Sequence, residues 1–294
     1  MLKVSHVSKK FQGFCLKDVD FYLPKGYICG VFGPNGSGKT TLLNLIMKLY
    51  RADKGEIFID GTDLCQDERG CKEQLGVVLN EDIFPDNMTL TENADMLGKY
   101  YRNYDRRLLE DYCERFFLPL NRKCGKLSKG EKLKYQFAFA LSHQPKLLLL
   151  DEPTANFDPE FRTEFLKIIT EFVSDGEHSV LLATHILEDL QQVGDYFLFL
   201  EKGEVTFAME RSRLEDSYRM VLGENYKLKL LKPDRVVYAE YGKEMGKALV
   251  RHSAYAVYDK EVTVTVPSLE EIMYFTVKAG GSRGKSKTPT QDFI

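Results

Sequence analysis

The chain has 294 residues, of which 43% are hydrophobic and 29% charged, with a formal net charge of −3 at pH 7; this allows one large domain, alone or with a small companion, and gives no reason to expect nucleic-acid binding. The six cysteines show neither a CxxC pair nor a histidine at metal-ligand spacing, which favours free thiols in a reducing compartment over a disulfide framework. The start MLKVSHVSKKF is too polar for a signal peptide, and no apolar run approaches the ~20 residues that span a bilayer, so we expect a membrane role to require another chain.

The first predicted elements are strands. Residues 2–7, 14–23 and 55–60 read as strands of an antiparallel N-terminal layer, and YICGVF at 27–32 is a short apolar run of β type. TLLNLIMKLY at 41–50 has the character of a helix packed on one side. A strand, a glycine-rich loop and a helix are therefore predicted in succession.

The glycine-rich loop GPNGSGKT has the G-x-x-x-x-G-K-T pattern of a phosphate-binding loop, in the strand–loop–helix context that the motif requires. Its glycines let the backbone curl so that N–H groups face a phosphate. The lysine would supply a charge to the β- and γ-phosphates, and the following threonine hydroxyl would ligate Mg²⁺. The predicted nucleotide contacts are Gly33, Pro34, Asn35, Gly36, Ser37, Gly38, Lys39, Thr40 and Thr41.

The middle of the chain, at about 86–145, is predicted to be mostly helical, and DRRLLEDYCERFF at 105–117 is an amphipathic helix. Within it, LSKGE has two readings. Ser128 and Glu131 form a capping box, in which each side chain bonds to the other residue's backbone N–H. The same helix start, with Gly130, is also an anion site, because free N–H groups and the helix dipole point outward.

Two further strands are predicted to end in polar side chains. KLLLLDE at 146–152 reads as a buried strand of a parallel sheet that closes with Asp151 and Glu152. SVLLATH at 179–185 is another apolar strand and ends at His185. Ligands collect at the carboxyl ends of strands in open α/β sheets, so we expect these three side chains at one ligand-binding edge.

A helix and a β-hairpin are predicted next along the chain. PEFRTEFLKIITEFV at 159–173 is a helix with proline in its first turn. DYFLFLEKGEVTFAM at 195–209 reads as a hairpin that turns at Lys202-Gly203.

After about residue 220 the pattern changes. NYKLKLL at 225–231 and EVTVTV at 261–266 alternate like half-buried strands, and PSLEEIMYFTV at 267–277 is a helix with a capping box. These elements predict a small α/β domain at 220–279. The polar, glycine-rich and basic segment 280–294 is predicted to be disordered.

In this order the motifs resemble those of ABC-type ATPases, the nucleotide-binding subunits of ATP-binding cassette systems. The similarity covers about residues 1–210 and comprises the phosphate (Walker A) loop, the signature segment LSKGE, the Walker B strand, a D-loop-like ANFD at 155–158 and the switch histidine. It implies the α/β P-loop NTPase fold of ABC ATPases. An ATPase domain at 1–215 would contain an antiparallel β layer and a helical signature subdomain at about 86–145, followed by a small C-terminal α/β extension.

The resemblance also implies roles for the site residues, with ATP and Mg²⁺ as cofactors. Asp151 would hold Mg²⁺, Glu152 would polarise the attacking water, and His185 would contact the γ-phosphate. In the family two domains pair head to tail, and each signature helix caps the γ-phosphate held by the other. Ser128 and the Gly130 N–H would therefore act across a dimer with a second copy or a paralogous subunit.

Several positions depart from the family's commonest pattern. Lys129 and Glu131 stand where glycine and glutamine are usual, and a carboxylate beside a γ-phosphate would be unfavourable unless Glu131 folds back onto its own cap. Asn80 stands where a Mg²⁺-contacting glutamine is expected, and either Asn80 or Glu81 would contact the ion in its place. Phe11 lies where the family stacks an aromatic ring on the adenine; a core position in the N-terminal sheet is the alternative.

The C-terminal PSLEEI-type helix resembles the extensions of ATPase subunits from ABC-2-type exporters. The predicted function is therefore ATP hydrolysis that drives export of an amphipathic peptide or other hydrophobic cargo through a separate membrane subunit. The chain would then lie at the cytoplasmic face of the cell membrane. The alternatives are a soluble ABC-type ATPase acting on a cytosolic assembly, and a nucleotide switch that does not hydrolyse ATP.

The contact with the membrane subunit is predicted at residues 80–100, NEDIFPDNMTLTENADMLGKY, which follow the Asn80 strand end and lead into the helical subdomain. This loop-like segment carries apolar side chains that a partner would cover. The alternative is that they pack inward. The apolar residues in question are Ile83, Phe84, Pro85, Met88 and Leu90.

Overall fold

The computed structural model describes residues 1–252, 261–282 and 290–291. The chain forms two compact units, which divide between Thr206 and Phe207. The sequence placed the end of the first domain at 215 and the start of the second at 220. Among the described residues, no helix combines the length and the apolar character needed to cross a membrane.

The first unit contains nine strands and seven α-helices within the described residues. The strands are β1 Leu2–Phe11, β2 Phe14–Leu23, β3 Ile28–Phe32, β4 Lys54–Ile59, β5 Thr62–Asp63, β6 Leu75–Val78, β7 Leu147–Asp151, β8 Ser179–Ala183 and β9 Tyr196–Glu201. The helices are α1 Lys39–Ile46, α2 Glu68–Glu73, α3 Leu90–Leu97, α4 Arg106–Arg115, α5 Lys129–Ser142, α6 Pro159–Val173 and α7 Leu187–Val193.

Two sheets organise this unit. An antiparallel sheet has the strand order β2-β1-β4-β5, which confirms the predicted N-terminal layer. A parallel sheet has the order β9-β3-β8-β7-β6. Every residue of β3, β7 and β8 is buried, as expected for parallel strands covered on both faces.

The parallel register brings the predicted polar strand ends to one edge. Asp151, the last residue of β7, is the Cα partner of Ala183, the last residue of β8. The next strand along, β6, ends at Val78, which neighbours Leu150 of β7. Since all these strands run in the same direction, the chain leaves β3, β6, β7 and β8 at the same edge.

The helical segment between β6 and β7 contains α3, α4 and α5. The amphipathic helix predicted at 105–117 is confirmed as α4, with Leu109 and Cys113 buried. Phe116, at its C-terminal end, stacks on Phe137 of α5 with ring centroids 6.0 Å apart. Aromatic packing of this kind fixes α4 against the signature helix.

The second unit contains β10 Glu204–Glu210, which begins in the first unit, followed by β11 Tyr218–Glu224, β12 Val236–Tyr241, β13 Met245–Arg251, β14 Thr263–Thr265 and β15 Thr290–Gln291. Its helices are α8 Arg211–Ser217, α9 Asn225–Lys229 and α10 Leu269–Ser282. Four strands form an antiparallel sheet in the order β12-β13-β11-β14. The predicted strand in EVTVTV is confirmed as β14, and the predicted hairpin turn joins β9 to β10.

One predicted strand is wrong. NYKLKLL, at 225–231, forms the helix α9 and its C-terminal turn instead. Leu228 is buried against Val221 and Val250, and Leu231 packs against the same cluster. Leu230, by contrast, is 77% exposed. Leu228 and Leu231 are three positions apart, which is the spacing of one helical face. The alternation of lysine and leucine, which had suggested a strand, therefore does not match the pattern of burial.

The last helix, α10, has the predicted capping box: Ser268 N–H donates to Glu271 Oε2 at 3.0 Å, and Glu271 N–H donates to Ser268 Oγ at 3.1 Å. The helix runs through Ser282, into the segment predicted to be disordered, and Thr290–Gln291 pair in parallel with β10. The rest of that prediction, at 283–289 and 292–294, lies outside the described residues.

Candidate functional site

The phosphate-binding loop connects β3 to α1 through a turn that needs glycine. Gly33 has φ 153°, and a Cβ there would lie 2.0 Å from the Leu200 carbonyl oxygen. Gly38, at the N-cap of α1, has φ 114°, in the region that L side chains rarely adopt. No side chain hydrogen-bonds to the first turn of α1, so its N–H groups remain for an anion.

Lys39 is the first residue of α1 and is only 7% exposed. Its Nζ donates to the carbonyl oxygens of Gly33 at 2.9 Å and Pro34 at 3.4 Å. Burial lowers the pKa of the ammonium group, and the charges of Glu152 and Asp151 act in the opposite direction. A desolvated ammonium held by the carbonyls of the loop gains strongly from a phosphate oxygen placed beside it.

Thr40 and Asp151 form the predicted metal-binding pair. Thr40 Oγ1 donates to Asp151 Oδ2 at 2.9 Å. The other carboxylate oxygen, Oδ1, is buried without a hydrogen-bond partner, as is Ser37 Oγ. Burial raises the pKa of Asp151, with a further increase from the charge of Glu152. Buried oxygens that lack partners fit a hard cation and the phosphates it neutralises.

Glu152 follows Asp151 and has φ 49°, the left-handed region. Its backbone N–H donates to Ala183 O at 2.8 Å. Its Oε2 accepts from the His185 N–H at 3.1 Å and lies 2.5 Å from His185 Nδ1. The ends of β7 and β8 thus bring the predicted water-polarising carboxylate and the predicted switch histidine into direct contact.

A cavity of about 500 Å³ opens over the loop and is lined by residues 35–41, Glu152 and Phe14. Phe14 was not predicted; its ring would lie 3.0 Å from a Cβ at Gly38. The predicted adenine contact, Phe11, is the Cα partner of Phe14 across the β1–β2 turn and packs against Tyr50 with ring centroids 5.3 Å apart. The signal for Phe14 was available: a two-residue turn between Phe11 and Phe14 places the two rings side by side.

The signature segment is a complete capping box at the start of α5. Glu131 N–H donates to Ser128 Oγ at 3.2 Å, and Ser128 N–H donates to Glu131 Oε2 at 2.7 Å. Glu131 Oε1 also accepts from Arg122 Nη1 at 3.1 Å. The bond from the Ser128 N–H is the largest of the influences that lower the pKa of Glu131. The carboxylate is therefore folded onto its own cap, as the sequence required.

Close packing is a second reason for glycine at position 130. A Cβ at this position would lie 2.7 Å from the carbonyl oxygen of Asn156, at the end of the 3-10 turn Pro153–Asn156 that follows β7. The signature helix thus begins against the D-loop-like segment of the same chain. Ser128 and Gly130 do not line the cavity over the phosphate-binding loop.

A second cavity, of about 440 Å³, joins the end of β6 to the signature helix. It is lined by Asn80, Glu81, Asp82, Leu127, Lys129 and Lys132. Asn80 is exposed, and the charge of Glu81 contributes to the raised pKa of Asp151. The structure therefore brings the Asn80 segment near both Asp151 and the signature helix.

The predicted apolar contact surface needs correction. Phe84 is only 5% exposed and Leu90 is fully buried. The Phe84 ring packs on Tyr135 and Phe139, with centroids at 4.6 and 5.6 Å. Ile83, at 41% exposure, does face solvent. Two aromatic rings of α5 thus cover Phe84, where the sequence had predicted a membrane subunit.

Comparison with known proteins identifies the family of this chain. The "ABC transporter" family model matches residues 16–155. The chain is 32% identical over 219 residues to the ABC transporter ATP-binding protein YtrB of Bacillus subtilis (strain 168), covering 74% of this chain and 75% of that protein. It is 29% identical over 235 residues to the phosphonates import ATP-binding protein PhnC of Wolinella succinogenes, covering 74% of this chain and 86% of that protein.

Among solved structures, the chain is similar to the dimeric post-hydrolysis state of the ATP-binding cassette MJ0796 bound to ADP and Pi. The TM-score is 0.63 at 25% identity, and the match covers 71% of this chain and 98% of that one. The chain belongs to the ABC transporter family and is one of its ATP-binding subunits, an ATPase with the P-loop fold of that family.

Proposed function

We propose that this ATPase works as a head-to-tail dimer at the cytoplasmic face of a membrane. There it would bind MgATP and drive the export of an amphipathic peptide or another hydrophobic cargo through a separate membrane subunit. The observation that supports a dimer is the separation of the signature segment from the phosphate-binding loop. The phosphate-binding loop has its own cavity, which Ser128 and Gly130 do not line. Their anion-binding helix start would then be completed by ATP held on a second subunit.

The residues of the first unit divide the chemistry between them. Lys39 and the N–H groups of α1 bind and orient the phosphates. Asp151 and Thr40 would hold Mg²⁺, with Asn80 and Glu81 nearby; the ion when bound neutralises charge on the phosphates. Glu152 orients and polarises the attacking water, and His185 fixes the carboxylate through the 2.5 Å contact of its Nδ1. Phe14, which lines the cavity over the phosphate-binding loop, would contact the adenine, with Phe11 next to it across the β1–β2 turn.

Membrane attachment is proposed for the segment 80–100, now restricted to its exposed positions. Two large hydrophobic side chains of this segment are exposed, Ile83 at 41% and Tyr100 at 71%, and Ile83 is the one next to the end of β6. It lies three residues after Asn80, so a partner that contacts it would move with the end of β6. A short helix of the membrane subunit docked here would match helix-in-groove recognition.

Transport direction is the second part of the proposal. Export is supported by the second unit, with its capped helix α10, which resembles the extensions of exporter ATPases. Import is the competing function, because one similar protein is named for phosphonate import. Co-expression with a candidate membrane subunit, followed by transport assays in inside-out vesicles, separates the two. ATP-driven accumulation of a fluorescent amphipathic peptide inside the vesicles supports export, and ATP-driven release of a preloaded solute establishes import.

A further inference from the structure

Gln136 is a polar residue buried in the middle of the signature helix. It lies eight residues after Ser128 on α5 and is only 2% exposed, among buried apolar neighbours such as Tyr135 and Phe137. A primary amide in such a place is costly unless both of its ends are hydrogen-bonded. A structural role alone would be met by any pair of partners, so the identity of the partners is informative.

Both partners of Gln136 belong to one short stretch of backbone. Its Oε1 accepts from the Leu79 N–H at 2.8 Å. Its Nε2 donates to the Glu81 carbonyl oxygen at 2.8 Å. The residue between these two contacts is Asn80. The amide therefore fixes the backbone on both sides of the side chain that stands where the family's glutamine is expected.

The position of this clamp matters because β6 lies at the end of the sheet order and stops at Val78. The two bonds of Gln136 extend the ordered backbone from Val78 to Glu81. An asparagine is one methylene shorter than a glutamine, so its reach toward a ligand depends more strongly on where its backbone is held. Displacements of about 1 Å are enough to impair catalysis in well-organised sites.

A pair of salt bridges from the same face of α5 also contacts the segment that follows Asn80. Lys132, one turn before Gln136, has its Nζ 2.6 Å from Asp82 Oδ2 and 3.0 Å from Asp86 Oδ1. These aspartates are 56% and 66% exposed, so solvent screens the pairs. The bonds of Gln136 are better shielded from solvent and are the more rigid of the two ties.

We propose that Gln136 is a positioning residue for ATP hydrolysis, which holds Asn80 at the Mg²⁺–γ-phosphate edge and ties it to the helix that carries Ser128. This inference rests on the role proposed above for Asn80. Because Ser128 would contact the ATP of the other subunit, displacement of α5 at one site reaches Asn80 at the other through Gln136. Its amide is thus a physical link between the two ATP sites of a dimer.

The test compares Gln136→Leu with Tyr135→Phe. Tyr135 is the matched control, because it is the adjacent buried residue and its hydroxyl donates one hydrogen bond to Leu90 O at 2.6 Å, away from Asn80. For both variants, ATP affinity in EDTA and the Mg²⁺ concentration for half-maximal hydrolysis are measured. We expect Gln136→Leu to raise that Mg²⁺ concentration by about tenfold, as for the loss of ordinary buried hydrogen bonds, with ATP affinity in EDTA unchanged. Equal Mg²⁺ responses in the two variants would overturn the proposal.

A double-mutant cycle with Asn80→Ala tests whether Gln136 acts through Asn80. If it does, Gln136→Leu does not raise the Mg²⁺ concentration for half-maximal hydrolysis beyond that of Asn80→Ala, because the effects of substitutions within one network are not additive. Fully additive effects show that Gln136 acts by another route and overturn the proposal. If Asn80→Ala alone leaves the Mg²⁺ response unchanged, the role of Asn80 fails first, and the two failures are thereby distinguished.

A third variant covers the case in which Gln136→Leu does not fold. Gln136→Glu keeps an acceptor for the Leu79 N–H and loses the donor to the Glu81 carbonyl. We expect Gln136→Glu to need a higher Mg²⁺ concentration for half-maximal hydrolysis than the wild type. We also expect it to dimerise less with ATP on a sizing column when it is combined with Glu152→Gln. A folded Gln136→Glu protein with wild-type values in both measurements would refute the link.

Discussion

His185 Nδ1 lies 2.5 Å from Glu152 Oε2, and the backbone N–H of His185 donates to the same oxygen at 3.1 Å. The end of β8 thus holds the carboxylate that follows Asp151. In the proposed mechanism this contact would give His185 a function before any phosphate is bound, because it would orient the carboxylate that polarises water.

Glu152→Gln is expected to keep ATP binding and to lower turnover at least about a hundredfold, because the amide keeps the shape but cannot accept a proton from water. Phosphate release and sizing chromatography with ATP measure the two effects, and the variant should accumulate as an ATP-bound dimer. Glu160→Gln, an exposed glutamate in the first turn of α6, is the control. Near-normal phosphate release from Glu152→Gln would remove this carboxylate from the mechanism.

Lys39→Ala is expected to weaken ATP binding by about 1.5–3 kcal/mol, the usual range for a hydrogen bond to a charged group. The physical reason is that its ammonium is already desolvated and held by carbonyl oxygens of the loop, ready for a phosphate. Equilibrium binding of a fluorescent ATP analogue provides the measurement. Lys48→Ala, which breaks a partly exposed ion pair with Glu68, should bind normally; equal losses in both variants would contradict the assignment.

Ser128→Arg separates a cap from a composite site. Loss of the capping box should cost about 1 kcal/mol of stability, and the bulky cation should abolish hydrolysis while ATP still binds to the variant's own phosphate-binding loop. Ser268→Arg is a matched control, since it breaks the same kind of box at the start of α10. If the two variants lose the same amount of hydrolysis per folded molecule, the signature serine is a cap and nothing more.

Ile83→Asp is the appropriate probe of the membrane contact, because Ile83 is 41% exposed whereas Phe84 is 5% exposed. We expect Ile83→Asp to fold, bind ATP and detach from membranes that contain the partner. Phe84→Asp should instead destabilise the protein by about 3 kcal/mol or more, since it buries a charge among aromatic rings.

The controls for this pair are straightforward. Leu49→Asp, at a 60% exposed position of the same unit, should leave membrane attachment unchanged. Flotation of membranes and urea unfolding provide the two measurements. An Ile83→Asp protein that stays attached would place the contact elsewhere.

His143 predicts a pH dependence of stability. It is 2% exposed and stacks on Tyr101 with ring centroids 3.9 Å apart. Burial lowers the pKa of its imidazole from 6.5 to about 4. Between these values the unfolded chain binds a proton that the folded chain does not, so stability is lost as the pH falls through this window.

The size of that effect follows from about 1.4 kcal/mol per unit of pKa, which gives a loss of up to about 3 kcal/mol. Urea unfolding of the first unit at pH 7.5 and pH 4.5 measures it, and His143→Phe, which keeps the aromatic packing, should reduce the difference. An unchanged difference in His143→Phe would exclude the buried imidazole as its source.

The phosphate-binding loop, the Asp151-Glu152 strand end and the capping box at Ser128 were all predictable, because each depends on residues that lie together in the chain. A glycine with positive φ, a carboxylate after an apolar strand and a serine three residues before a glutamate carry their geometry locally. The helix α9 was predicted as a strand at 225–231, because alternation over seven residues does not say which leucines are buried in a core.

The clamp of Gln136 on Leu79 and Glu81, the burial of Phe84 under α5, and the place of Phe14 beside Gly38 were decided only by the tertiary structure. Each joins residues from different elements, and the contact depends on how a helix or hairpin lies against the sheet. The sequence by itself determined the family, the phosphate-binding loop and which strands end in polar side chains. Which side chains cover, hold or expose those ends was decided by packing, because burial is a property of the neighbours that folding brings together.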